Sequence, residues 1–216
     1  MGNFYVNHTV RAPRDRVVTF LKKEGQTAFV SPTKVGYTVV YDKQCDAQDM
    51  YAITELGEKM SAALKAPVLA FLNHDDDLLC YWVFHQGELV EEYNSCPDYF
   101  DEEGMDIDFE ELGLGADDGD EDPGYTTDGA QLCRHFGTPA VQDRVRSILE
   151  KPGQVFVMMT HQELVNALGL PEWTVGAGYR YIANNDAEPS REDCVHVQGR
   201  RAGGLRVHKA DEDDEE

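Results

Sequence analysis

A chain of 216 residues with 41% apolar residues is long enough for one domain with a buried core, or for one domain plus a smaller annex. Its longest strictly apolar run, residues 78–84, falls far short of the ~20 residues that a membrane-spanning helix requires, so no membrane partner is expected. The net charge of −22 disfavours nucleic-acid binding by the main surface, because a phosphate backbone would meet a negative body.

Residues 4–11 alternate: Phe4, Val6, His8 and Val10 share one face and Tyr5, Asn7, Thr9 and Arg11 the other, the pattern of a half-buried strand. Pro13 opens a helix whose apolar stripe is Val17, Phe20 and Leu21, and Gly25 ends it. TAFVSP and GYTVVYD read as two strands joined by a hairpin at TKVG. Asp46 sits at an expected N-cap with Asp49 three residues on. The helix that follows carries Met50, Ile53, Gly57, Met60 and Leu64 and stops before Pro67. PVLAFL, LLCYWVFH and ELVEEY read as three further strands, with Gln86 and Gly87 as a tight turn.

The order β-α-β-β-α-β plus two strands is analogous to the split βαβ, or ferredoxin-like, sandwich. The expected fold is α+β, with a ferredoxin-like βαββαβ core over residues 1–100 and added antiparallel strands. The unbroken apolar run LLCYWVF implies a strand covered on both faces, and a smaller C-terminal α/β annex over residues 129–184 is expected to supply the second cover. In the annex a helix starts at Thr138 and Pro139, VFVMM reads as a buried strand, Thr160 and Glu163 form a capping box, and GYRYI reads as a last strand. Residues 101–128, with 13 acids, five glycines and no base, are expected to be a disordered acidic linker. Residues 185–216 are expected to be a disordered charged tail.

The charge is local. Between Lys65 and Arg134 lie 20 acids and no Lys or Arg, and the last six residues are all acidic. Outside those two stretches 15 acids face all 19 bases, which argues against adaptation to high salt and for a purpose attached to the acidic middle. Glu91, Glu92, Asp98, Asp101, Glu102, Glu103, Asp117, Asp118, Asp120, Glu121 and Asp122 are therefore candidates for contact with a basic protein partner.

A second candidate is the stretch His74, Asp75, Asp76 and Asp77. Carboxylates and an imidazole suit Mg²⁺ or Mn²⁺, whereas turn chemistry alone also accounts for Asn and Asp in a strand-to-strand loop. Asp118, Asp120 and Asp122 resemble the start of a calcium loop, but Gly124 arrives one residue late and Asp128 one early. Cys96 lies beside carboxylates that oppose a nucleophilic role, and Cys133 with His135 brings no orienting third group. His8 on an apolar strand face reads as a satisfied core histidine. Five widely spaced cysteines form no C-x-x-C pattern, which with the absence of a signal-peptide pattern points to a reducing, cytoplasmic compartment. The leading expectation is a non-catalytic acidic interaction protein of the inhibitor, immunity or nucleic-acid-mimic type. The alternative is a metal-dependent hydrolase using His74 and Asp75 to Asp77, and no other cofactor is expected.

Overall fold

The computed structural model describes residues 2–97, 127–150 and 157–199. Within them the fold is mixed α+β, with seven strands in one antiparallel sheet and six α-helices. The elements in chain order are β1 (Phe4–Val10), α1 (Arg14–Glu24), β2 (Ala28–Val30), β3 (Thr38–Asp42), α2 (Met50–Leu64), β4 (Val68–His74), β5 (Leu78–His85) and β6 (Glu88–Asn94). They continue as α3 (Ala130–Phe136), α4 (Gln142–Leu149), α5 (Val157–Leu168), α6 (Tyr179–Asn184) and β7 (Val195–Val197). The strand order is β6-β5-β4-β1-β3-β2-β7. No helix among the described residues is long and apolar enough to cross a membrane.

Three turns set the register by local chemistry. At Val35–Gly36, Asp75–Asp76 and Gln86–Gly87 both central residues have positive φ, the two-residue geometry whose twist matches flanking antiparallel strands. In the first of these, Lys34 and Tyr37 exchange backbone hydrogen bonds of 2.9 Å.

Alternation along the central strands then sorts side chains to two faces. Val6, Val10, Ala70, Leu72, Cys80, Trp82 and Phe84 pack with Val17, Phe20 and Leu21 of α1 and Ile53, Leu56 and Met60 of α2. Helix α2 lies so close to β5 that a Cβ at Gly57 would stand 2.3 Å from the Phe84 ring. On the opposite face, Leu69, Phe71, Leu79, Tyr81, Val83 and Tyr93 lie under apolar residues of α3, α4 and α5. Phe29, Val39 and Tyr41 lie under Ala177 and Ile182 at the α6 end. Covering on both faces explains why β5 is apolar without a break.

Five local expectations are corrected. Residues 155–159, read as a buried strand, fall partly outside the described residues, and from Val157 the chain is the start of α5. Thr160 is consequently inside the helix rather than at its cap. GYRYI is helical from Tyr179, because Gly178 enters extended and Asn185 closes the turn at φ 67; the three-residue spacing of Tyr179 and Ile182 places both against the Phe29 cluster. The cap of α2 is Asp49, which accepts the Ala52 N–H at 3.2 Å, while Asp46 lies in a preceding 3₁₀ turn. Residues 185–199, expected to open a disordered tail, instead reach the sheet: β7 pairs with β2, and Phe29 stacks on His196 at 4.3 Å. Burial of that aromatic contact supplies stabilisation that charge composition does not register.

Candidate functional site

The registers bring the start of β1 and the ends of β3 and β4 to one end of the sheet, and β6 runs toward it. The turn His74 to Asp77 lies here, closed by Asp77 N–H donating to the His74 carbonyl at 3.0 Å. Asp75 Oδ1 accepts the Gly2 N–H at 3.0 Å. Asp76 accepts Asn3 Nδ2 on both oxygens at 3.1 and 2.9 Å, and its carbonyl accepts the Val157 N–H at 3.0 Å. His74 Nδ1 donates to Gln48 Oε1 at 2.6 Å, and the Phe4 ring meets the imidazole edge-on at 4.9 Å. Of the proposed Mg²⁺ or Mn²⁺ set, the His74, Asp75 and Asp76 side chains thus each turn to a different partner, the two aspartates holding the N-terminal residues. Among the described residues, no three His, Cys, Asp or Glu side chains are grouped to hold a metal ion.

Gln48 links this turn to a cleft. Its amide nitrogen donates to the Asn73 carbonyl at 2.7 Å, and the side chain also lines an open cleft of 360 Å³ with Lys43, Asp46, Ala47, Tyr179 and Arg180. Asp46 is 4% exposed and accepts Arg180 Nε on Oδ2 at 2.7 Å. Its Oδ1 has no partner of good geometry, although the N–H groups of Tyr179 and Arg180 lie near enough to favour the ionised form. Burial outweighs these contacts and raises the Asp46 pKa above the usual carboxylate range. A Cβ at Gly178 would sit 2.7 Å from Asp46 Oδ1 and 3.0 Å from Tyr5 Cβ, so glycine permits the approach of α6 to β1.

The acidic candidates divide. Glu91 points inward and accepts the N–H groups of Gln131 at 2.7 Å and Leu132 at 3.3 Å, together with the Tyr81 hydroxyl at 2.8 Å. It therefore caps α3 from another element. Glu92 faces the opposite side beside Trp82, its strand partner, and burial raises its pKa. Asp98, Asp101, Glu102, Glu103, Asp117, Asp118, Asp120, Glu121 and Asp122 lie outside the described residues, as does nearly all of the acidic linker 101–128. Its last residue, Asp128, accepts the Ala130 N–H at 2.9 Å and pairs with Arg146 at 3.3 Å.

His8 and Cys133 are placed in the core, whereas His135 is only half-buried. His8 is buried with Nε2 3.0 Å from the Ile53 carbonyl, and burial lowers its pKa. Cys133 is buried in α3, its thiol pushed up to about 11, which opposes thiolate chemistry. His135 stacks on His85 at 4.4 Å.

A buried polar seam was not anticipated. Between the two apolar clusters of the second face lie Tyr5, Asn7, Thr9, Asn73 and His161, all at 0% exposure. Asn7 donates to the carbonyls of Thr174 at 2.8 Å and Ala177 at 2.9 Å. The Tyr5 hydroxyl bonds His161 Nδ1 at 2.9 Å, and the His161 ring lies 3.9 Å from Phe71. Burial takes the His161 pKa down to about 3. The signal was present in the pattern: His161 stands three, four and seven residues before Leu164, Val165 and Leu168, on the stripe of the predicted helix.

Comparison with protein-family models, with curated proteins and with solved structures finds no match to this chain.

Proposed function

We propose that the chain is a non-catalytic interaction protein that presents acidic surface to a basic partner protein, in the manner of an inhibitor, an immunity protein or a nucleic-acid mimic. The observation that carries this reading is the placement of charge. The described residues hold 22 acids and 14 bases, whereas residues 98–126 hold 13 acids and no base. That acidic segment follows β6, which runs toward the end of the sheet where Asp75, Asp76 and Asp77 form a turn. A partner with clustered Lys and Arg would be steered to this end, with the effect falling mainly on the rate of encounter.

The inner order β4-β1-β3-β2, with α1 and α2 packed on one face, supports a ferredoxin-like core to which β5, β6 and β7 are additions. Five unpaired cysteines support a reducing, cytoplasmic setting.

The test is kinetic. A cationic partner recovered on the immobilised chain is purified, and its association rate is measured from about 50 to about 300 mM salt. Replacing Asp117, Asp118, Asp120, Glu121 and Asp122 by Asn or Gln is expected to slow association and flatten its salt dependence. A rate indifferent to both salt and these substitutions would remove the proposal.

A further inference from the structure

We propose that the cleft between the β3–α2 connection and the start of α6 binds the phosphate group of a small phosphorylated molecule, held by Arg180 and Lys43. Arg180 spends Nε on Asp46 at 2.7 Å, and its terminal nitrogens make no hydrogen bond to any described residue. A guanidinium held by that one edge presents its remaining donors as a planar fork, the geometry that receives two oxygens of one phosphate.

The fork is held by a buried group. Asp46 is 4% exposed and anchored in the 3₁₀ turn Cys45–Ala47, so the acceptor that orients Arg180 belongs to the core rather than to a loose surface chain. The second cation, Lys43, comes from a different element and is exposed; its backbone N–H bonds the Thr27 carbonyl at 2.9 Å, and its ammonium has no hydrogen-bond or ion-pair partner among the described residues. Among the described residues the only carboxylate in the lining is Asp46, already paired with Arg180. Of the nearby carboxylates, Asp42 is buried, its Oδ1 accepting the N–H groups of Gln44 at 2.8 Å and Cys45 at 3.1 Å while its Oδ2 has no hydrogen-bond partner, and Asp49 caps α2. A cationic ligand would meet unpaired positive charge here, and an anion would satisfy it.

Arg180 is offset by Asp46, so the net charge of the lining is that of Lys43; a phosphate offers two oxygens to the fork and a third to Lys43, whereas a carboxylate has only two. The volume, 360 Å³, lies at the lower end of the range for small-molecule sites, roughly 300–1,000 Å³. It leaves room for an organic group along Ala47 and the Tyr179 ring. The chain's overall negative charge does not forbid this, because at physiological ionic strength charges more than about 8 Å away are largely screened.

The experiment titrates the full chain, at physiological ionic strength, with inorganic phosphate, with glycerol phosphate and with acetate, following backbone amide shifts and the melting temperature. Saturable shifts confined to residues 43–48 and 178–181, with a rise in melting temperature, are expected for both phosphates. Lys43→Gln, at an exposed and unpaired side chain, is expected to weaken binding about tenfold, as is Arg180→Lys, which keeps the charge and loses the fork. Lys34→Gln, whose partner is Glu172 on another surface, is expected to leave it unchanged. No saturable response to either phosphate, an affinity unmoved by Lys43→Gln, or acetate binding as tightly as phosphate would each overturn the assignment.

Discussion

His161 makes the docking of α5 on the sheet sensitive to acid. The imidazole is 0% exposed, stacks at 3.9 Å on Phe71 and reaches a single hydrogen-bond partner, the Tyr5 hydroxyl, while Nε2 has none. Protonation would place an uncompensated charge between the sheet and the helix, which is why burial lowers its pKa from 6.5 to about 3. In the unfolded chain the same group titrates near 6.5. Below that value the unfolded state therefore binds the extra proton, and stability falls as the pH falls until the folded pKa is reached. The full slope is about 1.4 kcal/mol per pH unit, giving a loss of about 2 kcal/mol by pH 5 and an upper bound of about 5 kcal/mol by pH 3. His8, whose pKa burial also lowers, adds to the same limb, so the His161 contribution is isolated by difference. His161→Gln retains an amide able to meet Tyr5 and removes the titration. Urea unfolding at pH 7 and pH 5 is expected to show the wild type losing about 2 kcal/mol more than the variant over that interval. Parallel acid limbs for the two proteins would show that His161 is protonated in the folded state or is solvated, and the reasoning would fail.

Glu91→Ala is expected to cost about 1–3 kcal/mol, because it leaves the N–H groups of Gln131 and Leu132 and the Tyr81 hydroxyl without their acceptor. Glu92→Gln, at the adjacent position on the other face, is expected to leave stability within about 0.5 kcal/mol, and equal effects of the two in denaturant melts would contradict the capping role described for Glu91. Gly57→Ala is expected to destabilise by about 1–3 kcal/mol, since its Cβ would sit 2.3 Å from the Phe84 ring; an unchanged melting midpoint would mean that α2 and β5 separate without cost.

The local elements of the first hundred residues were legible in the sequence because their causes are local. Alternation marks β1, Gly25 at φ 73 ends α1, and Gln86–Gly87 closes the β5–β6 hairpin, each a matter of side-chain period or backbone sterics within a few residues. The helical stripe around Leu164 was readable for the same reason. Helix and strand were confused where composition and packing disagree: VFVMM and GYRYI are rich in β-branched or aromatic residues, yet from Val157 and Tyr179 they are helical, with Val157, Tyr179 and Ile182 turned toward the sheet. The role of each polar group was decided only by the tertiary structure. Asp46 and Arg180 are 134 residues apart, and Tyr5 and His161 are 156 apart. Whether an acid is a surface charge, a cap like Glu91, a tether like Asp76 or the anchor of a guanidinium depends on which distant donor the fold carries to it. Sequence therefore determines where negative charge is concentrated along the chain. Strand order and helix docking determine which of those charges remain available to another molecule, because a buried carboxylate is stable only when donors meet it.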